Sequence, residues 1–124
     1  VQTCALPISL AVSEALVMGE QLGVDRQTLY DVISTSTGRS HIFNNSCPMP
    51  GPVPASAASN GWKPGFAAKL MLKDMRLSQA ASASAGTSTP LGAAATAAYA
   101  MHIENGFGDL DVTSIIKLIK PDVE

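Results

Sequence analysis

The sequence predicts an all-α fold, and three observations carry that prediction. Apolar residues recur at three- and four-residue spacing in five separate segments. Residues that start and stop helices bracket those segments, and no stretch argues convincingly for a strand. Aromatic residues are scarce at 5% while Ala and Ser abound, a composition suited to helices packed closely through small side chains.

The first helix is expected from about Ser9 to Leu22, with Leu10, Ala11, Ala15, Met18 and Leu22 on one face, Val12 and Leu16 beside it, and Glu14 and Glu20 outward. Gly23 is a left-handed terminator and Asp25 a cap for a second helix. That helix carries Leu29, Val32 and Ile33 and ends near Gly38. Residues 38–64 read as a long excursion, because the alternating prolines of Cys47-Pro48-Met49-Pro50-Gly51-Pro52-Val53-Pro54 remove donors and force extended geometry. Trp62 anchors its end by simple packing. The third helix spans about 65–85 and stops at Gly86. Thr89-Pro90 opens the fourth, with threonine as cap and proline at the first position, and Asn105-Gly106 closes it. Asp111 caps the last helix, where Val112, Ile115, Ile116 and Ile119 line one side before Pro121. The architecture is thus a five-helix domain with a long proline-rich loop between helices two and three.

Length and charge narrow the function. A chain of 124 residues makes one domain. Eight basic against ten acidic residues give a net charge of −2, which is no nucleic-acid footprint. No apolar run reaches membrane-spanning length, and residues 1–10 lack signal-peptide character. Cys4 and Cys47 make neither a disulfide framework nor a metal cluster, and His41 and His102 have no ligand spacing. No metal is expected, and the default compartment is the reducing cytoplasm. Gly106-Phe107-Gly108 is a turn and not a dinucleotide-binding fingerprint.

The most informative residue is Lys73. At 100° per residue, Phe66, Leu70, Lys73 and Leu77 share one narrow face of the third helix, while Ala68, Met71, Leu72 and Met75 form a second apolar side. A lysine within an apolar stripe either snorkels to water or meets an anionic partner at a boundary. Asp74 follows directly, so its side chain diverges from Lys73 and need not pair with it; it is either a solvated acid or a link to another element. Cys47 has no base nearby, His102 reads as a structural histidine, and Tyr30 and Tyr99 as partly buried helical tyrosines. Pattern alone yields one suggestive cation and no complete catalytic set.

Three stretches, in order, carry a resemblance: Ser13-Glu14-Ala15-Leu16 through Leu22-Gly23-Val24-Asp25, the proline loop from Cys47 to Pro54, and Gly65-Phe66 followed by Leu70-Met71-Leu72-Lys73-Asp74 and Leu77. From Val12 to Lys120 the chain resembles the C-terminal helical domain of the β-hydroxyacid dehydrogenase family, in its 3-hydroxyisobutyrate dehydrogenase branch. The resemblance implies a parent enzyme in which an N-terminal Rossmann domain binds NAD and this domain closes over it. The implied reaction is reversible hydride transfer between 3-hydroxyisobutyrate and NAD, giving methylmalonate semialdehyde. It implies Lys73, with Phe66, on the cofactor, and Asp74, Leu70 and Leu77 in support. It further implies the Rossmann domain and a small hydroxyacid as partners, and a homo-oligomer. None of Lys63, Lys69, Lys73, Lys117 or Lys120 matches the family's catalytic lysine, which lies upstream of this segment. Asn44-Asn45 is not the family's paired-asparagine motif, and His41 stands where the family often has tryptophan. Residues 1–8 resemble a translated sequencing adapter and are read as non-native, leaving 9–120 as the helical domain and 121–124 as a tail. The chain alone is therefore expected to be inactive. The alternatives are a fragment of another β-hydroxyacid dehydrogenase or a non-catalytic helical interaction module.

Overall fold

A computed structural model describes residues 2–124; Val1, the first residue of the adapter-like stretch, lies outside the described residues. Helix α1 runs Gln2–Gln21, α2 Arg26–Ser34, α3 His41–Ser46, α4 Ala68–Ala85, α5 Pro90–His102 and α6 Ile116–Ile119. The described residues form no strand, only an isolated bridge between Ala67 and Asp111. The all-α expectation holds.

Helix α1 departs from its expected form in two ways. It starts seven residues before Ser9 and runs through Pro7, a residue that limits helix propagation. Pro7 forfeits one backbone bond, yet Leu6 beside it is 1% exposed within a core shared with Met71, Met75, Tyr99 and Ile115. The buried face is also rotated: Leu6, Ser9, Ser13, Leu16 and Val17 point inward, while Met18 and Leu22 are 61% and 76% exposed. Two serines hide this stripe in the sequence. Each returns its hydroxyl to the carbonyl four residues back, Ser9 to Ala5 at 3.1 Å and Ser13 to Ser9 at 2.8 Å, so neither enters the interior unpaired. Glu20 is not simply outward; it binds Arg26 and Lys120, each at 2.7 Å.

Gly23 turns the chain at φ +92°, and the Asp25 carboxylate caps α2 by accepting from the Thr28 amide. The helix ends at Ser34, short of Gly38, and Val32 faces solvent. The expected loop then contains a helix. Ser40 caps α3 by accepting the Phe43 amide at 3.1 Å, and Phe43 is fully buried. The proline excursion follows, with Cys47 and Met49 buried and a short 3-10 turn at Ala58–Asn60. Trp62 ends it as an anchor, 6% exposed in a second core with Leu16, Phe43, Met49, Ile116 and Val123.

Helix α4 buries Ala68, Met71, Leu72 and Met75 and stops at left-handed Gly86. Pro90 opens α5, but Thr89 does not cap it: the Thr89 hydroxyl instead meets the Gln79 side-chain oxygen at 3.2 Å and the Ser82 hydroxyl at 3.1 Å. A wide turn at Ile103–Phe107 with Gly106 at φ +93° ends α5. Asp111 caps a 3-10 turn, Val112–Ile115, which leads into α6.

Candidate cofactor-facing site

The entry to α4 is fixed from 45 residues away. One carboxylate oxygen of Asp111 accepts the amides of Gly65 at 3.0 Å and Phe66 at 3.3 Å. The other accepts the Thr113 amide at 3.0 Å and the Thr113 hydroxyl at 2.7 Å. Further backbone bonds run from Ala68 to Leu110, from Lys69 to Gly108 and from Val112 to Phe66. They satisfy the amides that a helix start leaves open and set the rotation of α4 about its axis.

That rotation turns the Lys73 stripe outward. Leu70 is 45% exposed, Leu77 64%, and the Lys73 side chain 67%. The helix is therefore packed on one flank, not two, and the lysine does not have to escape an apolar interior. Phe66 is half-buried and packs against the first core. The structure thus places Leu70, Lys73 and Leu77 together on an open face, with Phe66 at its inner edge. Lys73 and Asp74 do pair, at 3.4 Å, contrary to the divergence expected of neighbours. Long side chains can swing back across one helical step, and the pairing holds the ammonium close to the helix surface. Exposed to water, such a pair adds little stability.

The remaining candidates are structural. Burial pushes the Cys47 thiol above its ordinary pKa, which disfavours the thiolate. The Tyr30 hydroxyl donates to the Asn44 carbonyl at 2.8 Å and the Tyr99 hydroxyl to the Val112 carbonyl at 2.9 Å. His102 is fully buried, its Nε2 2.7 Å from the Ser114 hydroxyl and its ring stacked on Phe107. It is only half satisfied, since Nδ1 has no partner among the described residues. Desolvation, helped by the nearby Lys117 charge, holds its pKa down to about 4. The sequence reading missed the charge cluster in which Arg26 donates to Glu20 and to the Glu124 carbonyl, and the seat of Lys117 over the Trp62 ring, 4.1 Å from its centroid. No local spacing signals either, because the partners lie far apart in the chain.

A family model described as "NAD-binding of NADP-dependent 3-hydroxyisobutyrate dehydrogenase" matches residues 4–119. This chain belongs to the 3-hydroxyisobutyrate dehydrogenase family. It is 41% identical over 111 residues to a probable 3-hydroxyisobutyrate dehydrogenase of Mycobacterium tuberculosis, covering 90% of this chain and 37% of that protein. The 3-hydroxyisobutyrate dehydrogenase of Pseudomonas aeruginosa is 37% identical over 110 residues, which cover 87% of this chain and 37% of the relative. An NAD-dependent L-serine dehydrogenase of the same organism is 29% identical over 114 residues, 92% of this chain and 38% of that one. A solved structure of the Mycobacterium tuberculosis 3-hydroxyisobutyrate dehydrogenase with L-serine superposes with a TM-score of 0.91 at 39% identity, covering 96% of this chain and 40% of that one. The chain thus spans under two fifths of the length of these curated relatives. The resemblance read from the three stretches holds, and so does the helical architecture it implied.

Proposed function

We propose that this chain is the helical part of an NAD-dependent 3-hydroxyisobutyrate dehydrogenase, closing over a Rossmann domain so that cofactor and hydroxyacid meet between the two. The observation that carries the reading is the open face of α4, where one exposed ammonium stands among exposed leucines. These residues fit a dinucleotide: Lys73 supplies charge for an anionic group, and Leu70 and Leu77 supply apolar surface that this chain leaves uncovered. When bound, NAD accepts the hydride from carbon 3 of the hydroxyacid. Within this chain Lys73 binds the cofactor, Asp74 steadies its ammonium, and Phe66 shapes the inner edge of the face. Leu70 and Leu77 pack against the facing domain and exclude water. Proton transfer at the substrate hydroxyl belongs to the family's upstream lysine.

The test joins this chain to a family Rossmann domain and replaces Lys73 by Ala. Removing a charge-assisted hydrogen bond from the closed state lowers kcat/KM for NAD about ten- to a hundredfold. Circular dichroism stays unchanged, because alanine favours helix at least as well as lysine. Unaltered kinetic constants in a folded variant would refute the cofactor role and return Lys73 to the status of a solvated surface group. A second reading keeps the reaction and changes the substrate to another small β-hydroxyacid. The L-serine dehydrogenase relative favours it, and kcat/KM for L-serine against 3-hydroxyisobutyrate in the same joined protein decides between them.

A further inference from the structure

Residues 121–124 read in sequence as a tail, but the structure seats them. Val123 is 0% exposed in the second core, with Met49, Trp62 and Ile116. Its amide donates to the Lys120 carbonyl at 3.2 Å and closes a turn around Pro121. Three cations hold that turn. The Lys117 ammonium donates to the Val123 carbonyl at 3.1 Å, and the Lys120 ammonium reaches Glu20 at 2.7 Å. The Arg26 guanidinium donates to the Glu124 carbonyl at 2.6 Å and to the Pro50 carbonyl of the proline excursion at 3.4 Å. Pro121, Asp122 and Glu124 are exposed, so one valine is the segment's apolar stake and the other ties are polar.

Trp62 is the residue these ties bear on. Its φ is +53°, the left-handed region, and no other non-glycine residue among those described has a positive φ. Its indole Nε1 is buried without a hydrogen-bond partner among the described residues. Both features are unfavourable, and such a conformation persists where neighbours over-determine it. Lys117, which holds the Val123 carbonyl, also stands over the indole, 4.1 Å from the ring centroid, and attracts its face. Trp62 in turn supports the entry to α4: its carbonyl accepts the Asp111 amide at 3.0 Å, and the Asp111 carboxylate grips Gly65 and Phe66. Contacts thus run without a break from Val123 through Lys117 and Trp62 to Asp111 and the start of α4. Met75, Ala95 and Tyr99 belong to the other core and lie off this path.

We infer that residues 120–124 are a strap that opens as one unit with the end of the proline excursion. Closed, it keeps Trp62 in its left-handed conformation and so fixes the entry to α4; open, it frees both while the first core stays packed. The strap acts whatever ligand α4 takes, and Lys73 has no part in it.

Amide hydrogen exchange of the 124-residue chain, followed by NMR at low denaturant, tests this. The amides of Val123, Trp62 and Asp111 should exchange through one shared opening, ahead of those of Ala95 and Tyr99 in α5. Lys117→Met removes the ammonium and keeps an apolar stem. It should speed exchange at Trp62 and Asp111 about tenfold and leave Ala95 and Tyr99 unchanged. Trp62 is the sole tryptophan, so acrylamide quenching of its fluorescence should rise in the same variant. Lys73→Gln should alter none of these readouts. Three results would overturn the inference: separate openings of Val123 and Trp62 in the unaltered chain, faster exchange in Lys117→Met at Val123 alone, or an equal acceleration throughout α5, which would mark a general loss of stability and no strap.

Discussion

At the scale of single residues, His102 makes the most definite statement about stability. Its ring is buried against Phe107 and Ser114, with Lys117 near enough to oppose a second positive charge. The folded protein therefore holds it neutral down to about pH 4, whereas the unfolded chain takes up the proton near the ordinary value of 6.5. Between those values the unfolded state binds more protons, so stability is fully present above pH 6.5 and falls as the pH drops toward 4. Linkage sets the loss on the order of 3 kcal/mol. Glu20 acts in a lower window. Its pKa is lowered first by the Lys120 hydrogen bond and then by Arg26, so its contribution is present above its unfolded value of 4.5 and is lost only as acid titrates the folded carboxylate. Thermal melts from about pH 7.5 to about pH 4.5 thus isolate the histidine. His102→Gln, which keeps a polar group within reach of Ser114, should flatten the profile across that range. An equally steep fall in this variant would place the acid sensitivity elsewhere. Lys73 shows how much a single residue discloses in sequence. The sequence marked it out as a charge within an apolar stripe, and its exposure explains how the stripe tolerates it.

At the scale of elements, Asp111 is the joint on which the candidate site turns. It was readable as a cap for the segment after it, and it does hold Thr113. Its second task, gripping Gly65 and Phe66 at the start of α4, was not readable, because nothing in a spacing of 45 or 46 residues records which loop returns to which helix. Asp111→Ala leaves four donors without their acceptor, two of them on buried Thr113. The cost should be about 2–4 kcal/mol in chemical denaturation. Asp111→Asn keeps one oxygen and should fall between the two proteins. A loss below about 0.5 kcal/mol for the alanine variant would mean that the backbone bonds of residues 108–112 hold α4 without it. The same division runs through the other elements. Asp25, Gly23, Gly86 and Pro90 announced their helix ends because capping is local chemistry. The buried face of α1 stayed hidden because Ser9 and Ser13 satisfy themselves through the helix backbone and pack as if apolar. Helix α3 stayed hidden because six residues carry too little periodicity to stand out beside a run of prolines. Thr89 failed as a cap because Gln79 and Ser82, brought near by the α4–α5 packing, compete for its hydroxyl. The candidate face on α4 followed the same rule: its residue types were legible, and its orientation was decided by an interaction from the far end of the chain.

At the scale of the whole molecule, two open apolar faces are available to the homo-oligomer that the family resemblance implies. They compete. The α4 face carries Leu70 and Leu77 but also Lys73 at its centre, with Lys69 and Arg76 close by. The α5 face carries Leu91 at 73% exposure and Met101 at 52%, with exposed Ala94 and Ala97 between them and no charged side chain from Pro90 to Met101. A two-fold interface brings each residue near its axis against its own copy. On α4 that sets Lys73 against Lys73, a like-charge juxtaposition that opposes pairing; on α5 it sets alanine against alanine, which lets the helices approach closely. Self-association should therefore run through α5, leaving α4 for a partner with anionic groups, as the proposed cofactor role requires. Sedimentation velocity across a concentration series should show a dimer that Ala94→Lys disrupts and Leu70→Gln leaves intact. Ala94 is exposed, so the lysine tests the interface and not the core. A compact monomer at the highest concentration would show that neither face needs cover. Dimers that vanish in Leu70→Gln but persist in Ala94→Lys would place the self-association on the stripe that holds Lys73, and the cofactor and the second copy would then compete for one surface.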